Sequence, residues 1–182
     1  MRKHIVMLIP LFLLLISVPF IGGCGASTIT WQEEVKLLDG RVITVTQKRR
    51  IDGEKIEREA WLTFKLPEAD NKEIVWHENL DVLVLNVYQN KIYIVGIPNT
   101  EREFRQYGSS VPFYIGYRYE GGKWIRVPFR EIPTAIYDSN MYIENMAFTK
   151  LKQVSLVDKE ELMKDETFSN ERKRIDPSSK IH

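Results

Sequence analysis

Three pairs of β-type segments, each joined by a two-residue turn sequence, constrain the fold of this chain most. The turn dipeptides are Asp39-Gly40, Gln89-Asn90 and Gly121-Gly122. Between runs rich in Val, Ile, Tyr and Trp, such dipeptides indicate β-hairpins, because their residues tolerate the positive φ angles of tight turns. The flanking segments are residues 31–38 with 41–48, 81–88 with 91–98, and 113–120 with 123–129. The chain is therefore predicted to be mainly β, with antiparallel neighbours.

Side-chain alternation indicates the register of the first hairpin. A simple two-residue turn pairs Leu38 with Arg41, whereas a type I turn with Gly40 as a bulge pairs Leu37 with Arg41. The bulged turn separates an apolar face from a polar one, so burial favours it. The apolar face then carries Trp31, Val35, Leu37, Ile43 and Val45, and the polar face carries Gln32, Glu34, Lys36, Thr44 and Thr46.

The second hairpin, residues 81–98, has apolar side chains at both parities, which predicts strands covered on both faces at the centre of the core. Two shorter strands are predicted at residues 59–66 and 73–78, and a short helix at 101–107. Asp158 with Glu161 resembles a capping box that begins a helix over 159–168. Together these elements predict a single antiparallel sheet, a sandwich or a partly open barrel of about seven to eight strands with a short C-terminal helix.

The amino terminus has the pattern of a secretory signal peptide. Arg2 and Lys3 precede the uncharged run 5–21, which ends in Ile21-Gly22-Gly23-Cys24. A basic start, an apolar segment and small residues at the exit are typical of cleaved export signals. The 17-residue run is shorter than the ~20 residues that span a bilayer. Export places the rest of the chain outside the cytoplasm.

Residues 21–24 resemble the lipobox of bacterial lipoproteins, with Ile21 where Leu is usual. The resemblance implies cleavage before Cys24, a diacylglyceryl group on its sulfur and an acyl group such as palmitate on its amino group. It also implies sorting by the next residue. Gly25 is not the Asp that retains lipoproteins on the inner membrane, so the outer membrane facing the periplasm is expected. An uncleaved membrane anchor and plain secretion are the alternatives.

The predicted organisation is a signal peptide at 1–23, a lipidated tether at 24–30, a β-rich domain at 31–157 and a charged helix and tail at 158–182. In that tail a solvated helix is the main interpretation, a basic recognition arm at 172–174 is the alternative, and residues 178–182 are predicted to be disordered.

Charge and cysteine content exclude several function classes. Without residues 1–23, the 159 remaining residues hold 24 basic and 25 acidic side chains, a net charge of −1. A nucleic-acid partner is therefore not predicted, because phosphate binding needs an excess of Lys and Arg. Cys24 is the only cysteine, which excludes an internal disulfide and a cysteine-based zinc site. No cofactor is predicted.

Catalytic candidates are few. An acid–base triad in the exported chain would depend on His77, because the other histidine is the terminal His182. The run His77–Asp81 superficially matches a zinc-peptidase motif, but it follows a predicted strand, and that motif needs a helix. Glu33 and Glu34 face opposite sides of a strand, so they are not a glycosidase pair with each other. We expect a protein without enzymatic activity.

The hairpin over residues 113–130 is the one candidate binding surface. Six aromatic residues and three arginines occur there in 18 positions. Tyr, Trp and Arg are enriched at binding hot spots, although strands also favour aromatics for packing. The candidate binding residues are Tyr117, Tyr119, Trp124 and Arg126.

Three stretches (31–41, 82–98 and 117–124) together resemble an uncharacterised group of small bacterial envelope proteins. The resemblance covers about residues 31–145 and implies no activity. The main hypothesis is a lipid-anchored envelope protein that serves as a non-enzymatic binding or structural module for a protein partner. A glycan-binding or lysozyme-inhibitor-type module and an envelope hydrolase are the alternatives.

Overall fold

The computed structural model describes residues 27–51, 57–141, 152–162 and 173–179. Nine strands and two short helices occur in these ranges. The strands are β1 Ser27–Lys36, β2 Val42–Ile51, β3 Glu57–Lys65, β4 Glu73–Glu78, β5 Asp81–Tyr88, β6 Lys91–Ile97, β7 Ile115–Glu120, β8 Lys123–Val127 and β9 Gln153–Val154; the helices are α1 Glu101–Gln106 and α2 Leu156–Leu162. The prediction of a mainly β domain with a short C-terminal helix is confirmed.

The strands form two sheets. Sheet A has the order β4-β3-β2-β1-β9 and sheet B the order β5-β6-β7-β8. All pairs are antiparallel except β1 with β9, which is parallel and joins two distant parts of the chain. Neither sheet closes into a barrel within the described ranges. The architecture is therefore a sandwich.

The first hairpin adopts the predicted bulged turn. The Leu37 amide donates to the Arg41 carbonyl over 2.8 Å, and Gly40 has a φ of 88°. Val35 pairs with Ile43 and Glu33 with Val45. The predicted apolar side chains consequently face inward, with Ile43 partly exposed. The same inward row also buries polar residues that the pattern did not predict, namely Glu33, Gln47 and Arg49.

Sheet B is covered on both faces, as the doubly apolar second hairpin predicts. Its inner face packs on sheet A through residues such as Leu85, Ile92 and Ile94. Its outer face packs under the chain segments 128–141 and 173–179, where Ile136 and Ile175 are buried against Leu83 and Tyr93. The pairing of β5 with β6 shifts in register between Val82 and Val84. The shift changes the direction of the β5 side chains, so that β5 contributes apolar side chains to both faces of sheet B.

The C-terminal helix begins earlier than predicted. Ser155 caps α2, because its hydroxyl accepts from the Asp158 amide while the Asp158 carboxylate accepts from the Ser155 amide. Asp158 therefore occupies the N3 position, at the end of the capping box, and not the N-cap position at its start. Residues 163–168 of the predicted helix lie outside the described residues. The prediction of disorder is wrong for Ser178 and Ser179, which form a turn in which Ser179 is buried.

None of the helices in the described part of the chain combines the length and apolar character needed to cross a membrane.

Candidate functional site

The four predicted binding residues share one face of sheet B, but that face points toward sheet A. Tyr117 pairs with Arg126 and Tyr119 with Trp124, so all four side chains emerge together. Tyr117 is only 6 % exposed and packs edge-on against Trp76, with ring centroids 5.8 Å apart. Tyr119 and Trp124 are half-buried against the same core, and Arg126 is exposed. Tyr117 is therefore a core residue and does not reach a partner.

Trp124 is held in place by both sheets. Its indole N–H donates to the Val75 carbonyl of β4 over 2.9 Å. Its ring lies 5.1 Å from that of Tyr119 and 6.4 Å from that of Phe64. These contacts join the edge of sheet B to the edge of sheet A and leave little free ring surface for a sugar.

Arg126 belongs to a polar cluster where β4 ends and α1 follows β6. The Tyr107 hydroxyl donates to the Glu78 carboxylate over 2.9 Å and accepts from the Asn79 amide over 3.2 Å. Arg126 donates to the Tyr107 carbonyl over 2.5 Å, and its guanidinium carbon lies 5.6 Å from the ring centroid. Burial, together with the hydrogen bond to Glu78, raises the pKa of Tyr107 well above 10. Tyr107 therefore stays a neutral donor that positions Glu78.

The outer face of sheet A carries an aromatic row that the sequence analysis did not single out. Lys48 of β2, Trp61 of β3 and His77 of β4 are direct cross-strand neighbours. The rings of Trp61 and His77 are stacked 4.4 Å apart at an interplanar angle of 8°. The Lys48 ammonium nitrogen lies 4.9 Å from the Trp61 ring centroid. We call these three residues the outer-face row.

The residues around the outer-face row are exposed and of mixed character. Val75 is 49 % exposed, a high value for an apolar strand residue. Glu59 lies 3.8 Å from the His77 imidazole and forms an ion pair with Arg50 over 3.1 Å. Trp and Arg are among the residue types enriched at the hot spots of protein interfaces.

Sequence alternation contained the signal for this row. Ala60, Leu62 and Phe64 are buried, so Trp61 between them has to face solvent. A tryptophan on the solvent side of a strand is unusual enough to merit attention. Finding Lys48 and His77 as its neighbours additionally required the register of three strands, which the sequence does not supply.

His77 lies in a position unsuited to the catalytic hypotheses. Its side chain is 47 % exposed on a flat sheet face and stacks on Trp61. Asp81, the second residue of the zinc-like motif, is buried and forms an ion pair with Arg49. Because β4 and β5 are strands joined by a turn, the two side chains do not converge on one site. The motif is a chance match.

Two buried ion pairs lie along the inner row of β1 and β2. Glu33 accepts from Gln47 and forms an ion pair with Lys159 of α2. Arg49 pairs with Asp81. Burial lowers the pKa of Lys159, an effect that the nearby Glu33 carboxylate partly offsets. These pairs fasten α2 and sheet B to sheet A.

An open groove of about 640 Å³ lies between the end of the first hairpin, α2 and the segment 135–140. Leu37, Leu38 and Leu156 supply its apolar wall, and Asn86 and Lys159 supply polar groups. The side chains of Asn86 and Lys159 are already engaged with Leu38 and Glu33. The groove has the size of a small-molecule site, and Lys36, Ser139 and Glu160 add further polar groups to its lining.

Cys24, the predicted lipid-attachment residue, lies outside the described residues. The structure does place the start of β1 at Ser27, so the strand includes residues 27–30 of the expected tether. Only Gly25 and Ala26 separate Cys24 from regular structure.

Comparison with known proteins adds no relationship, since no family model, curated protein or solved structure matches the chain.

Proposed function

We propose that this chain is a lipid-anchored protein of the bacterial cell envelope that binds a protein partner through the outer face of sheet A. The anchor is the lipobox-like sequence ending at Cys24, which predicts an extracytoplasmic location, in the outer membrane facing the periplasm where the source has one. The observation that carries the binding role is the outer-face row, in which Lys48 and His77 are exposed and Trp61 is half-buried between them.

Several properties favour a protein partner on this face. The outer face carries Trp61 on β3, next to the edge strand β4, with exposed Val75 on that strand and charged groups nearby. Interfaces between proteins combine such an aromatic centre with a polar rim. The opposite face of the same sheet is core, so Trp61 contributes less to folding than buried Trp76 does.

A glycan-binding module is the second candidate. Sugar recognition usually requires an open aromatic ring face. The two faces of Trp61 are occupied by His77 and Lys48, and Trp124 packs between the sheets. An envelope hydrolase loses its main support, because His77 lies on an open face.

Site-specific photocrosslinking in cells tests the proposal. A photoreactive amino acid would replace Thr44 or Val75 on the outer face, or Ile125 on sheet B as a matched control with 43 % exposure. We expect one protein to be captured from the Thr44 and Val75 positions and not from Ile125. Capture should fall when Trp61→Ala is added. Equal capture from all three positions, or capture unaffected by Trp61→Ala, would contradict the proposed surface.

Retention on peptidoglycan provides the second measurement. A glycan-binding module would be retained by insoluble peptidoglycan, and Trp61→Ala would abolish that retention. The photocrosslinking experiment would then capture no protein. Replacing Cys24 with Ala tests the anchor: we expect loss of membrane attachment or an uncleaved precursor. Unchanged size and attachment would exclude a lipoprotein.

A further inference from the structure

We propose that one end of the sandwich lies against the bilayer and binds anionic lipid headgroups through Arg102, Arg105 and Val111. This inference rests on the lipid anchor proposed above. It names a second interaction surface, separate from the outer face of sheet A, and its partner is a lipid surface.

The short connection between Cys24 and β1 limits where the domain sits. Three virtual bonds join the Cα atoms of Cys24 and Ser27, which span at most about 11 Å when fully extended. A chain held by acyl groups at Cys24 therefore has the start of β1 next to the headgroups. The ten residues of β1 extend about 33 Å from there, so the far ends of the strands lie much further out.

Strand pairing identifies which parts of the domain share the end at which β1 starts, here called the proximal end. Ser27 pairs with Ile51 at the end of β2, and Arg49 in β2 contacts Asp81 at the start of β5. The polar cluster of Tyr107 then places α1 and the following loop next to the β4–β5 turn.

The four hairpin turns within the described ranges, at residues 37–41, 66–72, 89–90 and 121–122, lie at the opposite, distal end. Arg41 beside the first turn forms an ion pair with Glu68 over 2.5 Å, which joins the first turn to that between β3 and β4. The Leu38 amide donates to the Asn86 side chain over 2.8 Å, which places the β5 end of the third turn at the same level. Tyr119, beside the fourth turn, pairs with Ile92 in β6.

The proximal end has the side chains that a lipid surface attracts. Arg102 and Arg105 are exposed and lie three residues apart on α1, so they share one side of the helix. Arg126 is exposed beside Tyr107. Glu101, the exposed acid of α1, forms a solvent-exposed ion pair with Arg105 over 3.4 Å, whereas Glu103 is buried and caps the helix at Thr100.

Val111 supplies an apolar contact at the same end. It is 70 % exposed, more than any other large apolar residue in the described ranges. It follows α1 in the loop that leads to β7. An exposed apolar side chain at the same end as several arginines suits the headgroup boundary, where the apolar group enters and the guanidinium groups bind phosphate.

Fluorescence quenching of the full-length, lipidated protein in vesicles tests this orientation. Because Cys24 is the only cysteine and its sulfur carries the diacylglyceryl group of the proposed anchor, a new cysteine is the single free thiol. Fluorophores would be attached in Val111→Cys and Gln106→Cys at the proximal end, and in Lys72→Cys at the distal end as the matched control. The vesicles would contain phosphatidylglycerol or phosphatidylcholine with brominated acyl chains as quenchers.

We expect quenching at positions 111 and 106 and none at position 72, stronger in phosphatidylglycerol than in phosphatidylcholine. Combining Arg102→Glu with Arg105→Glu should abolish the difference between positions 111 and 72. Combining Lys65→Glu with Lys123→Glu, which changes the net charge equally at the distal end, should leave it unchanged.

Two measurements separate an error in this inference from an error in the proposed lipid anchor. They are flotation of the protein with vesicles and mass spectrometry of the lipid modification on Cys24. If the protein floats with the vesicles and Cys24 is acylated, but positions 111 and 72 are quenched equally, the proposed orientation is wrong and the anchor stands. If the quenching difference between positions 111 and 72 persists in the variant with Arg102→Glu and Arg105→Glu, these arginines do not bind the headgroups. An unmodified Cys24 with no flotation would overturn both proposals.

Discussion

The Lys159 ammonium group of α2 forms an ion pair with the Glu33 carboxylate, which is fully buried in β1. Removing one member leaves an uncompensated charge in the interior, which typically costs about 3–5 kcal/mol. We therefore expect Lys159→Met to lower the free energy of unfolding by several kcal/mol. Chemical denaturation measures this change.

The double variant Glu33→Gln with Lys159→Met provides the comparison for that pair. It removes both charges, so it should be more stable than Lys159→Met alone. The exposed pair Arg105–Glu101 serves as the control, since an exposed pair contributes about 0.3–0.5 kcal/mol. Additive effects of the two substitutions would show that Glu33 and Lys159 do not interact.

Tyr117 and Arg126 are cross-strand neighbours with different roles in stability. Tyr117→Ala leaves a cavity beside Trp76 and should cost about 3–5 kcal/mol, the range for large aromatic residues in cores. Arg126→Ala removes an exposed side chain with one hydrogen bond and should cost about 1 kcal/mol. Thermal unfolding of the two variants compares them, and a mild effect of Tyr117→Ala would contradict its core assignment.

The hydroxyl of Tyr107 should make stability depend on alkaline pH. Burial raises its pKa in the folded state, while the unfolded chain keeps a value near 10. The stability contributed by the neutral phenol is thus fully present below pH 10 and is lost as the pH rises toward the folded pKa. Denaturation series at increasing pH should show a decline that is smaller in Tyr107→Phe.

The contribution of Tyr107 has to be measured as the difference in stability between the unmodified protein and Tyr107→Phe. The lowered pKa of Lys159 has the opposite effect on stability. Between that lowered pKa and the usual lysine value, the unfolded chain binds a proton that the folded protein does not, so the free energy of unfolding rises with pH. Subtracting the Tyr107→Phe curve from that of the unmodified protein removes this contribution. A constant difference across the alkaline range would contradict the role given to Tyr107.

Gly96 and Gly40 should respond differently to replacement by Ala. A Cβ atom on Gly96 would lie 2.7 Å from the Asp81 carbonyl oxygen and 3.1 Å from the Leu80 Cβ, so the backbone has to move. Gly40 has free space but a positive φ, which costs about 1–2 kcal/mol. We expect Gly40→Asn to be more stable than Gly40→Ala, because Asn tolerates positive φ angles better than Ala does.

No substituent should recover stability at Gly96, where the obstacle is a backbone atom. Denaturation midpoints for Ala, Ser and Asn at each position separate steric obstruction from conformational strain. Recovery by Gly96→Asn would show that the close approach to Asp81 does not determine the choice of glycine.

Local alternation and turn chemistry predicted most strands, because each hairpin is specified by a short stretch of sequence. The bulged turn at Gly40 and the bounds of β5 illustrate this, since both follow from neighbouring residues alone. The candidate site was less predictable. Tyr117 and Trp61 both lie on strands with alternating patterns. Whether each side chain points to the core or to the solvent depends on which face of its sheet packs against the other sheet.

Long-range polar contacts were not predictable either. The pattern around Glu33 marks an inward position, but its partner Lys159 lies 126 residues away along the chain. Such a pairing depends on the path of β9 and α2 past β1. Sequence alternation carries no information about that path.

The hydrogen bond from Trp124 to the Val75 carbonyl affects how copies of this protein meet. Val75 lies on β4, the outermost strand of sheet A, where an unpaired carbonyl would accept an amide from a strand of another molecule. The indole occupies that acceptor from the side, and its ring fills the adjoining space. Extending the sheet into a fibril at this edge therefore requires Trp124 to leave its aromatic neighbours Tyr119 and Phe64, which opposes self-association through β4.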